Sequence, residues 1–336
     1  MESTDALFNK VNQDREIENA NKALQIAMTS KPQDSAQILS SLMKLVVLHQ
    51  KRGDSESAVS YLQTVLAVQE RAAGPDHPEV AQNLMKAASL YQALAQYAKA
   101  EPLYQRALSI REKALGPEHP DVAQSLNNLA ECYQARAQYV KAEPLYHRAL
   151  SIRKKAVGLG HPDVAHSLNK LAGFYQEQGQ YVKAEPLYQR ALSIREKTLG
   201  PEHPDVAISL SNLAGLNQIR EEHAKAEPLY QRALDIREKA LGPEHPDMAT
   251  GLDNLAGFYQ AQAQYAKAEP LYQRALDIRE KALGPEHPDV ATSLSNLVGL
   301  YQLQEQHAKA EPLALRALRI AEEKTKPRPS NNKNVA

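Results

Sequence analysis

The sequence contains a single cysteine, Cys132, so it can form neither an internal disulfide bond nor a zinc site built from several thiolates. Such a chain is typical of a reducing compartment. Lysine plus arginine number 40, as do aspartate plus glutamate, so the net charge is zero. This balance argues against a nucleic-acid partner, because binding to phosphates normally requires an excess of basic residues.

Long apolar runs are also lacking. No stretch of about 18 apolar residues occurs, so the sequence predicts no membrane-spanning helix. The N-terminal region holds no apolar segment suited to a signal peptide. We therefore expect a soluble, cytoplasmic protein with no membrane partner.

Catalytic motifs are missing as well: the sequence has no P-loop, GxGxxG, HExxH or GxSxG. Cys132 lies within an apolar stripe, which favours a core residue over a nucleophile. Histidines recur along the chain at intervals of 42 residues. If each lies in its own helical unit, equivalent atoms of neighbouring units would lie about 10 Å apart. Zinc needs its ligands at about 2 Å from one ion. We therefore interpret these histidines as capping residues, and predict no enzyme activity, no cofactor and no metal site.

What the chain does contain is a block of 42 residues that is repeated at least five times with few changes. The dipeptide His-Pro marks each copy, and its histidines are His77, His119, His161, His203, His245 and His287. Self-similarity at a fixed period is typical of a solenoid, in which each unit buries its apolar face only against its neighbours. The chain therefore need not divide into several globular domains, and its function is expected to lie on its surface.

Each copy predicts two helices, as residues 119–160 illustrate. Pro120 suits a first helical position, and Asp121 suits the positive first turn. Apolar residues then recur at three- and four-residue steps in two successive stripes, and a glycine such as Gly116 is placed to end the second helix. One residue conflicts with this interpretation. A proline such as Pro144 recurs near the start of the second helix, where it either falls within the first turn or removes a hydrogen bond.

Tyrosines and charged triplets give opposite predictions of burial. Fourteen of the fifteen tyrosines occupy three repeat positions on the apolar stripes, which predicts packing against neighbouring helices. Triplets such as Arg111-Glu112-Lys113 indicate instead an outer face of mixed charge.

The two ends of the chain depart from the repeat. A weaker copy occupies residues 35–76, and Ala314 stands where other copies have tyrosine, as expected if no further repeat packs there. We predict an N-terminal helical cap at residues 1–34, a solenoid of about seven repeats at residues 35–322, and a disordered polar tail at residues 323–336.

The pattern L-x-x-L-A-x-x-Y … Y-x-x-A-x-x-L-Y-x-x-A-L resembles the tetratricopeptide repeat. The longer period and the phrases HPDVAQSLNNLA, YVKAEPLY and RALSIREKALG resemble the repeats of kinesin light chain and of nephrocystin-3-like proteins. The resemblance covers about residues 35–322. It implies an all-α fold, a right-handed superhelical α-solenoid whose first helices line a concave groove for extended peptides.

The resemblance also implies which residues line that groove. One position is the asparagine of L-N-x-L-A, and this chain has Asn127, Asn169, Ser211, Asp253 and Ser295 there. Seven residues further on it has Gln134, Gln176, Gln218 and Gln260. A glutamine amide can donate to and accept from a peptide backbone, but glutamine is also a good helix former on any wet face.

Glycine occupies a third groove position in four copies, at Gly173, Gly215, Gly257 and Gly299. Because glycine in a helix costs about 1 kcal/mol relative to alanine, it indicates either room for a ligand or crowding between helices. Glycine also replaces the asparagine of the carboxylate clamp found in some tetratricopeptide domains, so a receptor for chaperone tails is not expected. The N-terminal segment is too short to predict the heptads of a motor subunit.

Two functions remain open. The first is a protein-protein interaction scaffold or adaptor that binds an extended peptide segment of a protein partner in the groove. The alternative is a structural spacer or self-associating module that acts through its ends or convex face, which the neutral net charge would permit. We expect a monomer in the first case and a homo-oligomer in the second.

Overall fold

The computed structural model describes residues 4–30 and 35–325, and within them it contains fifteen α-helices and no strand. The helices are α1 Thr4–Thr29, α2 Ser35–Lys51, α3 Ser55–Ala73, α4 Pro78–Ala93, α5 Tyr97–Leu115, α6 Pro120–Ala135, α7 Tyr139–Val157, α8 Pro162–Glu177, α9 Tyr181–Leu199, α10 Pro204–Ile219, α11 His223–Leu241, α12 Pro246–Ala261, α13 Tyr265–Leu283, α14 Pro288–Leu303 and α15 His307–Thr325. The chain divides into two compact units, residues 10–229 and residues 1–9 with 230–336.

Every 42-residue copy from residue 78 onward forms two successive helices. The even-numbered helices from α4 to α14 are the first helices, and the odd-numbered helices from α5 to α15 are the second helices. Within residues 10–229, the first helices α4, α6 and α8 pack along the second helices α5, α7 and α9 of their own repeats, and each of these second helices packs on the next first helix. Successive first helices such as α6 and α8 also touch, as do α12 and α14 in the other unit. The predicted all-α solenoid is therefore confirmed.

Histidine caps the first helices. In α6 the Nδ1 atom of His119 accepts a hydrogen bond from the backbone N–H of Asp121 at 3.1 Å, and Pro120 is the first helical residue. An acceptor at this position satisfies one of the N–H groups that a helix start leaves unpaired. The same bond occurs at the five other first helices that begin with His-Pro, so the predicted capping role is confirmed.

The proline in each second helix lies beyond the first turn. Pro144 is the sixth residue of α7, and the helix continues through it. A proline there leaves one backbone carbonyl without its helical N–H partner. Its ring is exposed to solvent, so water can reach the backbone on that side. The structure therefore selects the second of the two predicted outcomes, a lost hydrogen bond.

The tyrosine positions confirm the predicted packing. Tyr104 and Tyr146 are among the largest fully buried side chains, and the tyrosines of the first helices, such as Tyr133, are also buried. Arginines of the Arg-Glu-Lys triplets contradict the prediction of an outer face: Arg195 and Arg279 are buried, whereas Arg111 is half-buried.

The two predicted ends lie partly outside the described residues. Residues 1–34 contain the single helix α1, with residues 1–3 and 31–34 outside the described residues. At the other end α15 continues to Thr325, so residues 323–325 of the predicted tail are helical. The rest of that predicted tail, residues 326–336, lies outside the described residues.

Candidate peptide-binding face

All nine residues predicted to line a groove lie on first helices. Residues 10–229 carry Asn127, Asn169, Ser211, Gln134, Gln176 and Gln218 on α6, α8 and α10. The other unit carries Asp253, Gln260 and Ser295 on α12 and α14. We call the surface around these positions the first-helix face, and describe it separately in each unit.

The asparagines connect successive first helices. Asn127 on α6 is fully buried, and its amide Nδ2 donates to the hydroxyl of Ser167 on α8 at 3.4 Å. Asn169 repeats this bond to Ser209 on α10 at 3.2 Å. The side-chain oxygens of both asparagines are buried and have no hydrogen-bond partner among the described residues. These amides therefore have a role between repeats that the sequence did not indicate, and their contact with a peptide stays a prediction.

The glutamines are half-buried, and their carbonyl oxygens are enclosed by the protein. The Oε1 atom of Gln134 accepts a hydrogen bond from the Tyr146 hydroxyl at 2.7 Å. In Gln176 and Gln260 the same atom is buried, and no described residue donates to it. A peptide on the first-helix face would therefore meet the NH2 side of these amides, which can donate to a backbone carbonyl. Gln218 is half-buried in the same way.

The three remaining predicted residues differ in exposure. Ser211 is buried. Ser295 is exposed, and its hydroxyl donates to the Ala291 carbonyl of its own helix at 2.8 Å. Asp253 lies 2.6 Å from Nη1 of Arg279 in a largely buried ion pair. Burial raises the pKa of Asp253 above its ordinary value, although Arg279 opposes the shift.

Crowding does not explain the glycines of the first helices. A Cβ atom at Gly173 would meet only the Tyr188 hydroxyl, at 3.5 Å, which is an ordinary contact. A Cβ atom at Gly257 would meet the Tyr272 hydroxyl at the same distance, and at Gly299 it would meet nothing within 4 Å. The crowding explanation is therefore wrong at these three positions, where space remains above the helix.

A row of arginines is a feature that the sequence analysis missed. Arg111 on α5 donates through Nη1 to the Ser125 hydroxyl and to the Asp121 carbonyl, both at 2.9 Å. Arg153 and Arg195 make the same pair of bonds to the next first helix. The signal is present in the sequence, because a serine follows each of these arginines after 14 residues.

No catalytic or metal centre is apparent on the described helices. In residues 4–30 and 35–325, no group of three or more His, Cys, Asp or Glu residues could hold a metal ion. The thiol of Cys132 is buried, and burial raises its pKa, which disfavours the thiolate. Over the same described ranges, no helix has the length and apolarity needed to cross a membrane.

The family comparison covers most of the chain. The Tetratricopeptide repeat family model matches residues 36–113, 79–155, 163–239, 209–256 and 247–323. That family is defined by a structural repeat. No curated protein matches the chain.

Several solved structures are similar to this chain. A variant form of a Podosopora anserina putative kinesin light chain with nearly identical TPR-like repeats is 30% identical, with a TM-score of 0.50, over 61% of this chain and 97% of that one. BtubC (BKLC) from P. vanneervenii is 22% identical, with a TM-score of 0.54, over 76% of this chain and 96% of that one. A Rap protein complexed with Competence and Sporulation Factor is 15% identical, with a TM-score of 0.60, over 94% and 87% of the two chains. The repeat pattern, the helix pairs and the family match together show that this chain belongs to the tetratricopeptide repeat family, with repeats of the kinesin-light-chain-like type.

Proposed function

We propose that this protein is an interaction scaffold that holds an extended segment of a partner protein against its first-helix face. The observation that carries the proposal is the open space above Gly173, Gly257 and Gly299. Glycine lowers helix stability, and no neighbouring atom requires it there, so contact with a ligand is the remaining reason for it.

The neighbouring side chains support an extended ligand. A glutamine lies one turn after each glycine, as Gln176 follows Gly173, and its NH2 group can donate to a peptide carbonyl. Because the same pair recurs every 42 residues, one strand could make the same contact at successive repeats. The Rap protein of similar fold was solved with Competence and Sporulation Factor, which supports ligand binding as a use of this fold.

Filling the space at Gly173 is expected to separate stability from binding. Gly173→Ala should raise the free energy of unfolding by about 1 kcal/mol, because alanine is the better helix former. Gly173→Leu should weaken the binding of peptides selected from a random library by tenfold or more, because its side chain would occupy the peptide's space. Chemical denaturation and fluorescence anisotropy measure the two effects.

Gly160→Leu is the matched control for Gly173→Leu, because Gly160 lies in a loop where a Cβ atom would meet nothing within 4 Å. It should leave peptide affinity unchanged. A library that yields no peptide above background, or selected peptides that bind Gly173→Leu as tightly as the parent, would show that the first-helix face is not the binding site.

A second candidate function, self-association, is favoured by the last helix. Leu318 on α15 is 57% exposed, whereas Leu276, at the equivalent place on α13, is 4% exposed because α14 packs against it. Leu315 is 62% exposed, and other copies have glutamine or histidine there. A terminal repeat normally has a polar outer face, so these leucines favour a covered surface.

We propose a second copy of this chain as the occupant of that surface. The surface continues the interface by which one repeat packs on the next, and small residues such as Ala314 and Ala321 would let two α15 helices approach closely. Light scattering over a concentration series should show a dimer for the parent and a monomer for Leu315→Gln/Leu318→Gln. A parent that stays monomeric at every concentration would contradict self-association.

A further inference from the structure

Two buried arginines in residues 10–229 have only neutral hydrogen-bond partners among the described residues. Arg153 on α7 is 6% exposed, and Nη1 donates to the Ser167 hydroxyl at 2.9 Å and to the Asp163 carbonyl at 3.2 Å. Its Nη2 donates to Oε1 of Gln124 at 2.8 Å. Every one of these acceptors is neutral. The guanidinium group is therefore hydrogen-bonded to dipoles alone, although Asp163 favours its charged form without forming an ion pair with it.

Arg195 on α9 repeats this environment one repeat later. It is 5% exposed and donates through Nη1 to the Asp205 carbonyl at 3.0 Å and the Ser209 hydroxyl at 2.9 Å. Its Nε atom is buried, and no described residue accepts from it. Among the described residues, neither Arg153 nor Arg195 forms an ion pair, whereas Arg279 in the other unit pairs with Asp253. One acidic group favours the charged form of each arginine, Asp163 for Arg153 and Asp205 for Arg195. Because both guanidinium groups are buried and neither forms a direct ion pair, a further anion near them would be stabilised.

His166 on α8 lies between these two arginines. It precedes Ser167, the residue that binds Arg153. His166 is the equivalent of Gln124 in the preceding repeat, 42 residues earlier. In the same way, Arg195 is the equivalent of Arg153. The repeat therefore places His166 beside Arg195, as Gln124 lies beside Arg153. His166 is half-buried, so one side of it remains open to solvent.

The charges around His166 are mostly positive. Arg153 and Arg195 belong to the helices on either side, and Lys170 lies one turn further along α8, where its ammonium is 2.8 Å from Glu131 on α6. The one acidic group that favours the protonated ring is Asp163. Burial, and then Arg153, Lys170 and Arg195, lower the pKa of His166 to about 4. The imidazole is therefore neutral at pH 7 and can donate one N–H.

We propose that His166, with Lys170 at the rim and Arg153 and Arg195 beneath it, is a subsite for an oxyanion carried by a peptide on the first-helix face. This inference rests on the proposed function and names one chemical feature of the partner. The oxyanion is either the carboxylate of an acidic side chain or the phosphate of a phosphorylated one. Either would supply a charged hydrogen-bond acceptor, which the two guanidinium groups lack among the described residues.

Anion binding at this subsite should be coupled to proton uptake. A bound oxyanion offsets the repulsion between His166 and the three cations, so it raises the pKa of His166 from its depressed value. Because the bound form then holds the proton more tightly than the free form, affinity should increase as the pH falls through the raised pKa of the bound form toward the value of about 4 in the free form. A subsite made of lysine and arginine alone would show no such increase, because neither side chain takes up a proton in this range.

Titration of His166 with inorganic phosphate tests the subsite without any peptide. The imidazole resonances are followed by NMR, and His166→Gln, which introduces the residue present at position 124, identifies the resonance. Phosphate should raise the midpoint of His166 by one pH unit or more and leave the midpoint of His203 unchanged. An unchanged His166 midpoint at saturating phosphate would overturn the proposal.

Library-selected peptides distinguish the two sources of the oxyanion. Each peptide is compared in versions with glutamate, phosphoserine or glutamine at its anionic position. The preferred anion should bind at least tenfold more tightly than glutamine, and His166→Gln/Lys170→Met should abolish that difference while circular dichroism shows intact helices. Peptides that bind the first-helix face equally with all three residues would overturn the subsite and keep the proposed function. A phosphate response at His166 without any peptide binding would support the subsite and contradict the proposed function.

Discussion

Replacing Arg279 by methionine is expected to lower the free energy of unfolding by about 3–5 kcal/mol, because a buried carboxylate then loses its partner. Nη1 of Arg279 lies 2.6 Å from Oδ2 of Asp253, and it also donates to the Ser293 hydroxyl. Both members of the ion pair are largely buried. Methionine keeps most of the side-chain volume, so the loss would come from the charge rather than from a cavity. Chemical denaturation at neutral pH measures it.

The loss of folding stability in Arg279→Met should be smaller under acidic conditions. Burial already raises the pKa of Asp253 in the folded protein, and removing Arg279 raises it further. Because the folded state then binds the proton more tightly than the unfolded state, stability increases as the pH falls from this raised pKa toward the ordinary value for aspartate. Arg279→Met/Asp253→Asn should recover most of the loss at pH 7, since Asn127 occupies that position in another copy. A loss independent of pH and of Asp253→Asn would contradict this interpretation.

Replacing Tyr146 by alanine should also lower the free energy of unfolding by about 3–5 kcal/mol, the usual range for a buried aromatic side chain. Tyr146 is 1% exposed, and its ring centroid lies 5.4 Å from that of Phe174 on the next first helix. The cavity would therefore affect both the repeat of Tyr146 and the following one. Thermal and urea denaturation measure the effect.

Tyr146→Phe separates packing from hydrogen bonding. It keeps the ring beside Phe174 and removes only the hydroxyl that donates to Gln134. We expect a loss of about 1 kcal/mol for that hydrogen bond. Equal losses for the phenylalanine and alanine variants would show that the hydroxyl, rather than the ring, stabilises the repeat interface.

The helices could be predicted from the sequence because each boundary has a local cause. Pro120 and the other His-Pro prolines begin the first helices, and glycines such as Gly116 end the second helices at a positive φ of 87°. The apolar stripes could be predicted for the same reason, since their spacing follows from the helical period. The tetratricopeptide fold then followed from the repeat length and motif.

The burial of Arg153 and Asn127 could not be predicted from the stripes. Both are polar, and a polar side chain at the edge of a stripe is exposed or covered according to how closely the next repeat packs. Both side chains are hydrogen-bonded to Ser167, which lies in that next repeat. Only the recurring sequence separations between arginine, asparagine and serine indicate that these polar side chains are buried. A hydropathy pattern does not show them.

The bonds between repeats have a consequence for how such a chain can change in length. The bond from Asn127 to Ser167 joins residues 40 apart, and the bonds from the arginines to serine join residues 14 apart. Each of these bonds therefore joins residues that are no more than about one repeat apart. If a block of 42 residues were removed or duplicated, the same bonds could form between the two repeats that become neighbours. Gain or loss of one such block would therefore shorten or extend the protein by a whole repeat.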